Sequence, residues 1–242
     1  MSALTAAELL DTWECNLARP LPGRVLALLG AAFPEASVEE LAGLPIGRRD
    51  ACLLRLRERL FGPEFTVVGQ CPSCGEQVES VFCVNDIRLT DEMVREGPYS
   101  TEIDGYSATF RLPTTHDLLT LTDASMAHQT LLARCLIEVR NASGEAVIVE
   151  SLPDAVIAAI AARMAALDPQ ADIELRLTCP VCDYRWPAVF DIASFLWKEL
   201  HAWALRTLRD VHSLARSYGW READVLALSP TRRQVYLELS RQ

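Results

Sequence analysis

Apolar residues recur at helical spacing over the first sixty positions of the chain. Leu9, Trp13 and Leu17 lie four apart, Pro20 and Pro22 interrupt, and Val25 to Phe33 predicts a second helix. Ser37-Val38-Glu39-Glu40 has the form of a helix start, with Glu40 three residues after a candidate N-cap serine. Ile46 to Phe61 predicts a third helix, with Cys52, Leu56 and Leu60 on one stripe and Gly62-Pro63 ending it. At Glu64 the period changes. Phe65 to Val68 and Val78 to Val84 are rich in β-branched and aromatic residues and flank a short cysteine turn. Ile173, Leu175 and Leu177 alternate before a second cysteine turn, and Trp186 to Phe190 follow it.

Between these strand pairs lie mixed signals. Asp104-Gly105 joins Ser100–Ile103 to Tyr106–Phe110, a strong hairpin signal because both turn residues tolerate positive φ. Pro113-Thr114-Thr115 predicts a helix start, and Ser125 to Val139 reads as a further helix. Asn141 to Gly144 reads as a turn, and Pro153 to Leu167 as an Ala-rich helix closed by Asp168-Pro169. After residue 191, Trp197, Leu200, Ala204, Val211, Leu214 and Tyr218 keep helical spacing. Gly219 suits a left-handed helix stop, and Ser229-Pro230 suits the start of a last helix carrying Val235, Tyr236 and Leu239. The expected class is α+β, mainly helical, with a zinc-ribbon-like pair of β-hairpins joined by a long structured insertion. The expected division is 1–63 helical, 64–84 with 172–190 as paired hairpins, 85–171 as the insertion, and 191–242 helical.

The cysteines give this outline its chemistry. Cys71-Pro72-Ser73-Cys74 and Cys179-Pro180-Val181-Cys182 match across 108 residues, and the same offset carries Val81 and Phe82 onto Val189 and Phe190. Two C-x-x-C knuckles supply the four soft thiolates of a closed structural zinc site. A closed site leaves no position for water or substrate, so the spacing points to a scaffold and not to a metalloenzyme. A redox C-x-x-C opens a helix, whereas strand residues follow both of these. The 104 residues between Cys74 and Cys179 are far more than compact zinc modules use. A site within one chain and a site shared by two chains both satisfy the spacing. Cys15, Cys52, Cys83 and Cys135 stand alone in apolar segments and read as small buried hydrophobes.

Composition narrows the function classes. The chain has 242 residues, half of them hydrophobic, and a formal net charge of −10. That balance opposes direct, sequence-independent nucleic-acid binding, and no apolar run is long enough to span a membrane. The N-terminus lacks the basic start and apolar block of a secretory signal, so a cytoplasmic location is expected. No G-x-S-x-G, phosphate-cradling loop or dinucleotide fingerprint is present. His116, His128, His201 and His212 show no ligand spacing and read as ordinary helix residues. A non-enzyme is expected. Arg48, Arg49, Arg55, Arg57 and Arg59 form a basic cluster, either a solvated helix face or a dock for an acidic partner, with Arg48 and Arg49 the candidate contacts. Among Trp197, Trp203, Tyr218, Trp220 and Tyr236, most read as core. Trp220, beside Tyr218 and just after a helix stop, is the best candidate interface anchor.

The segment Tyr218-Gly219-Trp220-Arg221-Glu222-Ala223-Asp224-Val225-Leu226-Ala227-Leu228 is followed by Ser229-Pro230-Thr231-Arg232-Arg233-Gln234-Val235-Tyr236-Leu237-Glu238-Leu239. It resembles a C-terminal motif of baseplate hub assembly proteins of contractile-tailed phages and of phage-like contractile injection systems. Leu44-Pro45-Ile46-Gly47-Arg48-Arg49-Asp50, the Cys-Pro-x-Cys-Gly knuckle with its flanking strands, and Phe110-Arg111-Leu112-Pro113-Thr114 resemble the same family, so the likeness covers most of the chain. Ser229 stands where the motif often carries proline. The resemblance implies a cytoplasmic, non-enzymatic assembly factor or minor baseplate component that binds baseplate or hub proteins. It also implies a structural Zn2+ on Cys71, Cys74, Cys179 and Cys182. The competing reading is a zinc-ribbon adaptor of transcription or translation machinery.

Overall fold

A computed structural model of the chain describes residues 1–89, 97–121 and 127–241. The chain divides into two compact units: residues 1–37 with 193–242, and residues 38–192. Residues 1–37 of the first helical stretch therefore share one unit with the last, while its residues 38–63 fall in the other unit.

That first unit is helical. It holds α1 (Ala6–Cys15), α2 (Leu21–Ala32), most of α9 (Ile192–Tyr218), α10 (Glu222–Leu226) and α11 (Pro230–Leu239). Helix α1 starts in a capping box in which Thr5 and Glu8 satisfy each other's backbone N–H groups. It ends at Cys15, so its buried stripe is Leu9, Leu10 and Trp13, while Leu17 lies past the end and is exposed. The Trp13 indole N–H donates to Nδ1 of His201 at 3.1 Å, and Arg24 lies 5.1 Å over the Trp197 ring. Along α9, Ala193, Leu196, Trp197, Leu200, Ala204, Thr207, Val211 and Leu214 are buried at three- and four-residue steps. Gly219 takes φ 69° and its N–H caps the carbonyl of Ala215 at 2.9 Å, the helix stop its position predicts. The Ser229 side chain accepts from the N–H of Arg232, with Pro230 in the first turn of α11. The inward face of α11 is Arg233 and Leu237, whereas Val235 and Leu239 are exposed.

The second unit surrounds α4 (Ile46–Phe61), preceded by the short α3 (Val38–Ala42). Two hairpins enclose the cysteine turns: β1 (Glu64–Gln70) with β2 (Gln77–Cys83), and β6 (Ile173–Thr178) with β7 (Arg185–Phe190). Between them come α5 (Val84–Ile87), β3 (Tyr99–Ile103), β4 (Tyr106–Phe110), α6 (Thr115–Leu119), α7 (Ala127–Cys135), β5 (Leu136–Arg140) and α8 (Asp154–Leu167). Strands β3, β4 and β5 form an antiparallel sheet in that order, with Asp104 and Gly105 both at positive φ in the first turn. A core of Ala108, Phe110, Leu132, Val139, Val156 and Ile160 joins this sheet to α7 and α8. The expected helix over 125–139 is thus corrected. It ends at Cys135, and Leu136–Arg140 turns into a strand because β4 offers it an edge. Its expected start at Ser125, and the His128 side chain, lie outside the described residues.

The stripe expected on α4 is also corrected. Its buried positions include Leu53, Leu54 and Leu56, but also Arg49, Asp50 and Arg57, while Cys52 is half-buried. Apolar periodicity misses a face that buries charged side chains against specific partners. Arg49 donates through Nε to Asp50 Oδ1 at 2.7 Å, and Arg57 donates to the carbonyl of Gly62 at 2.6 Å while lying 4.0 Å over Phe65. Burial raises Asp50 to about 6 despite Arg49, with Asp191 and Asp168 adding to the rise. A carboxyl whose folded pKa lies above its ordinary 3.8 contributes stability below that value and loses it as pH rises through the folded one. The parent chain should therefore lose about 2–3 kcal/mol relative to Asp50→Asn between pH 4 and 6. Urea melts of both chains across that range measure it; a constant difference would refute it.

Two sequence motifs meet inside this unit. The Ile46 N–H donates to the carbonyl of Pro113 at 3.0 Å, and Pro45 and Thr114 form an isolated bridge. Asp117, buried, accepts from Arg111 Nη1 and Nη2 at 2.6 and 2.7 Å and from the N–H and hydroxyl of Thr114, both at 2.9 Å. Burial opposes its charge, but Arg111 and Thr114 together hold its carboxyl well below the usual carboxylate range. The 44–50 and 110–114 stretches are thus two sides of one joint.

Candidate metal centre

The two cysteine knuckles repeat in backbone detail as well as in sequence. Gln70 pairs with Gln77 at the end of the first hairpin, and Thr178 with Arg185 at the end of the second, the same positions under the 108-residue offset. In the first knuckle the N–H of Cys71 reaches the carbonyl of Glu76 at 2.8 Å, and the N–H of Gly75 reaches that of Cys71 at 2.9 Å. In the second, Cys179 to Tyr184 and Asp183 to Cys179 are 2.9 and 3.0 Å. Gly75 has φ 76° and its counterpart Asp183 φ 57°. Aspartate is among the few side chains that visit this region singly. Among the described residues a Cβ at Gly75 would meet only Gln70 Nε2, at 3.8 Å, so the demand there is conformational. Gly75→Ala should cost about 1 kcal/mol, and Asp183→Gly should change stability by less than about 0.5 kcal/mol. Urea denaturation of both variants checks this; equal losses would show that the two knuckles do not share a backbone requirement.

All four sulfurs, from one chain, lie within 4.8 Å of one another. Cys71 to Cys182 is 3.7 Å and Cys74 to Cys179 is 3.6 Å. Four sulfurs about 2.3 Å from a tetrahedral ion sit about 3.8 Å apart, so the cluster has the size of a four-thiolate site. Cys71 and Cys179, first in each knuckle, are buried, while Cys74 and Cys182 form the exposed rim. Desolvation opposes ionisation of Cys71, yet hydrogen bonds from the backbone of Cys74 and Ser73 bring it below an ordinary thiol. Cys74 gains from a backbone hydrogen bond at Glu76, but its sulfur neighbours Cys182, Cys179 and Cys71 push it above one. Four thiolates this close repel one another unless a cation lies between them.

The hairpins meet along one face. Cys71, Val78 and Cys179 form a small buried cluster with Trp186 against it, and a Cβ on Gly69 would touch Leu177 at 3.4 Å. At the far end Phe65 stacks on Phe82 with ring centres 5.1 Å apart, and Phe190 meets both edge-on at 5.4 Å. Phe82 and Phe190 are counterparts under the same offset. The opposite face of the first hairpin carries Val68 and Val81 into solvent, as Val189 does on the second.

The remaining expectations fall out differently. Of the four other cysteines only Cys135 is buried, and burial pushes it up to about 11; Cys15 and Cys83 are exposed. Arg49 is 5% exposed and paired with Asp50, whereas Arg48 is half-buried. Tyr218 and Trp220 come together, ring centres 4.9 Å apart, and Trp220 meets Tyr236 at 4.9 Å on the core of Val211, Leu214, Val225 and Leu237. Trp220 thus helps close the C-terminal turn, and Tyr218 keeps a solvent-facing side. The sequence reading missed the contact of Gly47 with Asp168, whose Oδ2 accepts the Gly47 N–H at 2.9 Å. A glycine inside a helix start was the available signal.

No helix among the described residues is long and apolar enough to cross a membrane. A family model described as T4 bacteriophage base plate protein matches residues 25–197, well over half of the chain. The match takes in both knuckles and the 44–50 and 110–114 motifs, and it ends before Tyr218. No curated protein and no solved structure matches the chain.

Proposed function

From its membership of the T4 bacteriophage base plate protein family, to which this chain belongs, we propose that it is a non-enzymatic assembly factor or minor component of a contractile phage-tail-like baseplate. The match over residues 25–197 carries this reading. The narrower role in assembling the hub rests on the likeness of the Tyr218–Leu239 segment. The chain would act in the cytoplasm through contacts with baseplate or hub proteins. Tyr218 and Arg48, which keep exposed or half-exposed surface, are candidate contacts.

The four cysteines would hold one structural zinc as a zinc-ribbon-like clasp. Their donor set and sulfur spacing support zinc, and with four protein ligands no position is left for substrate. When bound, the ion neutralises thiolate repulsion and ties two hairpins that are far apart in the sequence. Affinity purification of the tagged chain from its own host, with mass spectrometry of the captured proteins and of finished particles, tests the assembly role. Baseplate or hub proteins among the captured set are expected, and polymerase or ribosomal proteins in their place would refute it. Metal analysis of the purified chain should give one zinc per chain.

A further inference from the structure

We propose that the groove between α9 and α11 is a docking site for a short acidic segment of a partner protein. The groove has a volume of about 700 Å³ and is lined by Arg206, Arg209, Arg216, Arg233 and Arg241, with Asp210 its one acidic residue. This concentration of positive charge sits in a chain of formal net charge −10. Arg206, Arg209 and Arg216 follow at steps of three and seven on α9 and so share a face. None of the five arginines has a side-chain hydrogen bond or ion pair among the described residues.

Arg233 lines the groove from α11. It is 7% exposed, and its Nε is buried with no hydrogen-bond partner. A buried, charged donor left unsatisfied is costly, and a carboxylate from outside would remove that cost through a charge-assisted bond. Asp210 feels Arg233, Arg206 and Arg241 electrostatically, but burial raises its pKa and it forms no ion pair with them among the described residues.

The length of the groove favours a peptide over a single anion. From Arg206 to Arg216 the helix rises about 15 Å, enough for four or five extended residues. One phosphate would engage only part of that row. A long nucleic acid would also meet the negative charge of the rest of the chain, whereas a few carboxylates respond mainly to charges within about 10 Å. The choice of a protein partner rests on the assembly role proposed above; the anionic chemistry of the site does not.

The test is fluorescence anisotropy on the full chain with zinc present, using a fluorescein-labelled Glu-rich peptide and its Gln-substituted twin. Labelled oligo-dT and inorganic phosphate form separate arms. The Glu-rich peptide should bind at least about tenfold tighter than its twin, and more weakly as salt rises. Arg233→Gln should weaken it about tenfold or more. Because Arg233 is buried, the exposed pair Arg206→Gln with Arg216→Gln is the second variant; it should weaken binding similarly with an unchanged melting temperature. Equal binding of the twin, full binding by the exposed double variant, or binding of oligo-dT or phosphate without the peptide would each overturn the proposal. Capture of baseplate proteins by the double variant at parental yield would also sink this groove while leaving the assembly role standing.

Discussion

If the four cysteines hold zinc as proposed, treating the purified chain with a chelator is expected to abolish the cooperative unfolding of residues 38–192. Each two-stranded hairpin is marginal by itself. The face they share is small, built on Val78 and Trp186 beside the cysteines and on the Phe65, Phe82 and Phe190 trio. Holding them together closes a loop of 104 residues between Cys74 and Cys179, which an unclasped chain opposes entropically. Structural zinc contributes about 10–16 kcal/mol in small zinc-binding peptides, comparable to or larger than the ~5–15 kcal/mol that stabilises a whole domain. Cys179→Ser should reproduce the chelator's effect, because that thiol is fully buried in the cluster. Cys15→Ser, at an exposed position, should stay within about 0.5 kcal/mol of the parent. Circular-dichroism melts, paired with metal analysis, follow both. An unchanged melt in a chain shown to be metal-free would mean that the hairpins hold without the ion.

Gly47→Ala is expected to destabilise the same unit by at least about 3 kcal/mol. A Cβ there would lie 1.9 Å from Asp168 Oδ1, 2.8 Å from its Cγ and 3.0 Å from the backbone N of Ala171. Asp168 is buried and its other oxygen is bonded to the Gly47 N–H, so it has nowhere to swing without losing that bond. Overpacking and loss of a buried hydrogen bond cost about 1–3 kcal/mol each. Gly30→Ala makes the contrast. Among the described residues nothing lies within 4 Å of its Cβ position on α2, and helix propensity alone should make that change stabilising by about 0.5–1 kcal/mol. Adding Asp168→Ala should recover much of the loss at Gly47, since it removes the colliding atoms. Urea melts of the four chains of this cycle measure the coupling, and additive losses would show that the close approach is not the cause.

Much of the local structure was legible from short-range chemistry. Asp104-Gly105, Gly219 and Ser229-Pro230 are turn and cap signals whose meaning depends on neighbouring backbone alone, and each took the expected conformation. The paired knuckles were legible for the same reason, because C-x-x-C with flanking strands is a local unit repeated at a constant offset. The end of α7 was not legible. Leu136–Arg140 is apolar enough for helix or strand, and only the open edge of β4 decided between them. The inward charges of α4 were hidden as well, since Arg49, Asp50 and Arg57 read as a solvated face until their partners are known. The basic groove on α9 escaped notice because its arginines are spread over residues 206–241, and no local cluster marks them.

By itself the sequence determined the kinds of chemistry available: four thiolates in two matched turns, no catalytic motif, an acidic balance, and helices with recognisable ends. These follow from side-chain type and from spacings of a few residues, which the backbone geometry of turns and helices converts directly into position. The tertiary structure alone decided which distant residues share a site. It placed Cys71 and Cys182 within 3.7 Å, set Gly47 against Asp168, and left Arg233 Nε buried with no hydrogen-bond partner among the described residues. Such contacts join residues far apart along the chain, and their energies depend on desolvation and close approach that no local spacing encodes.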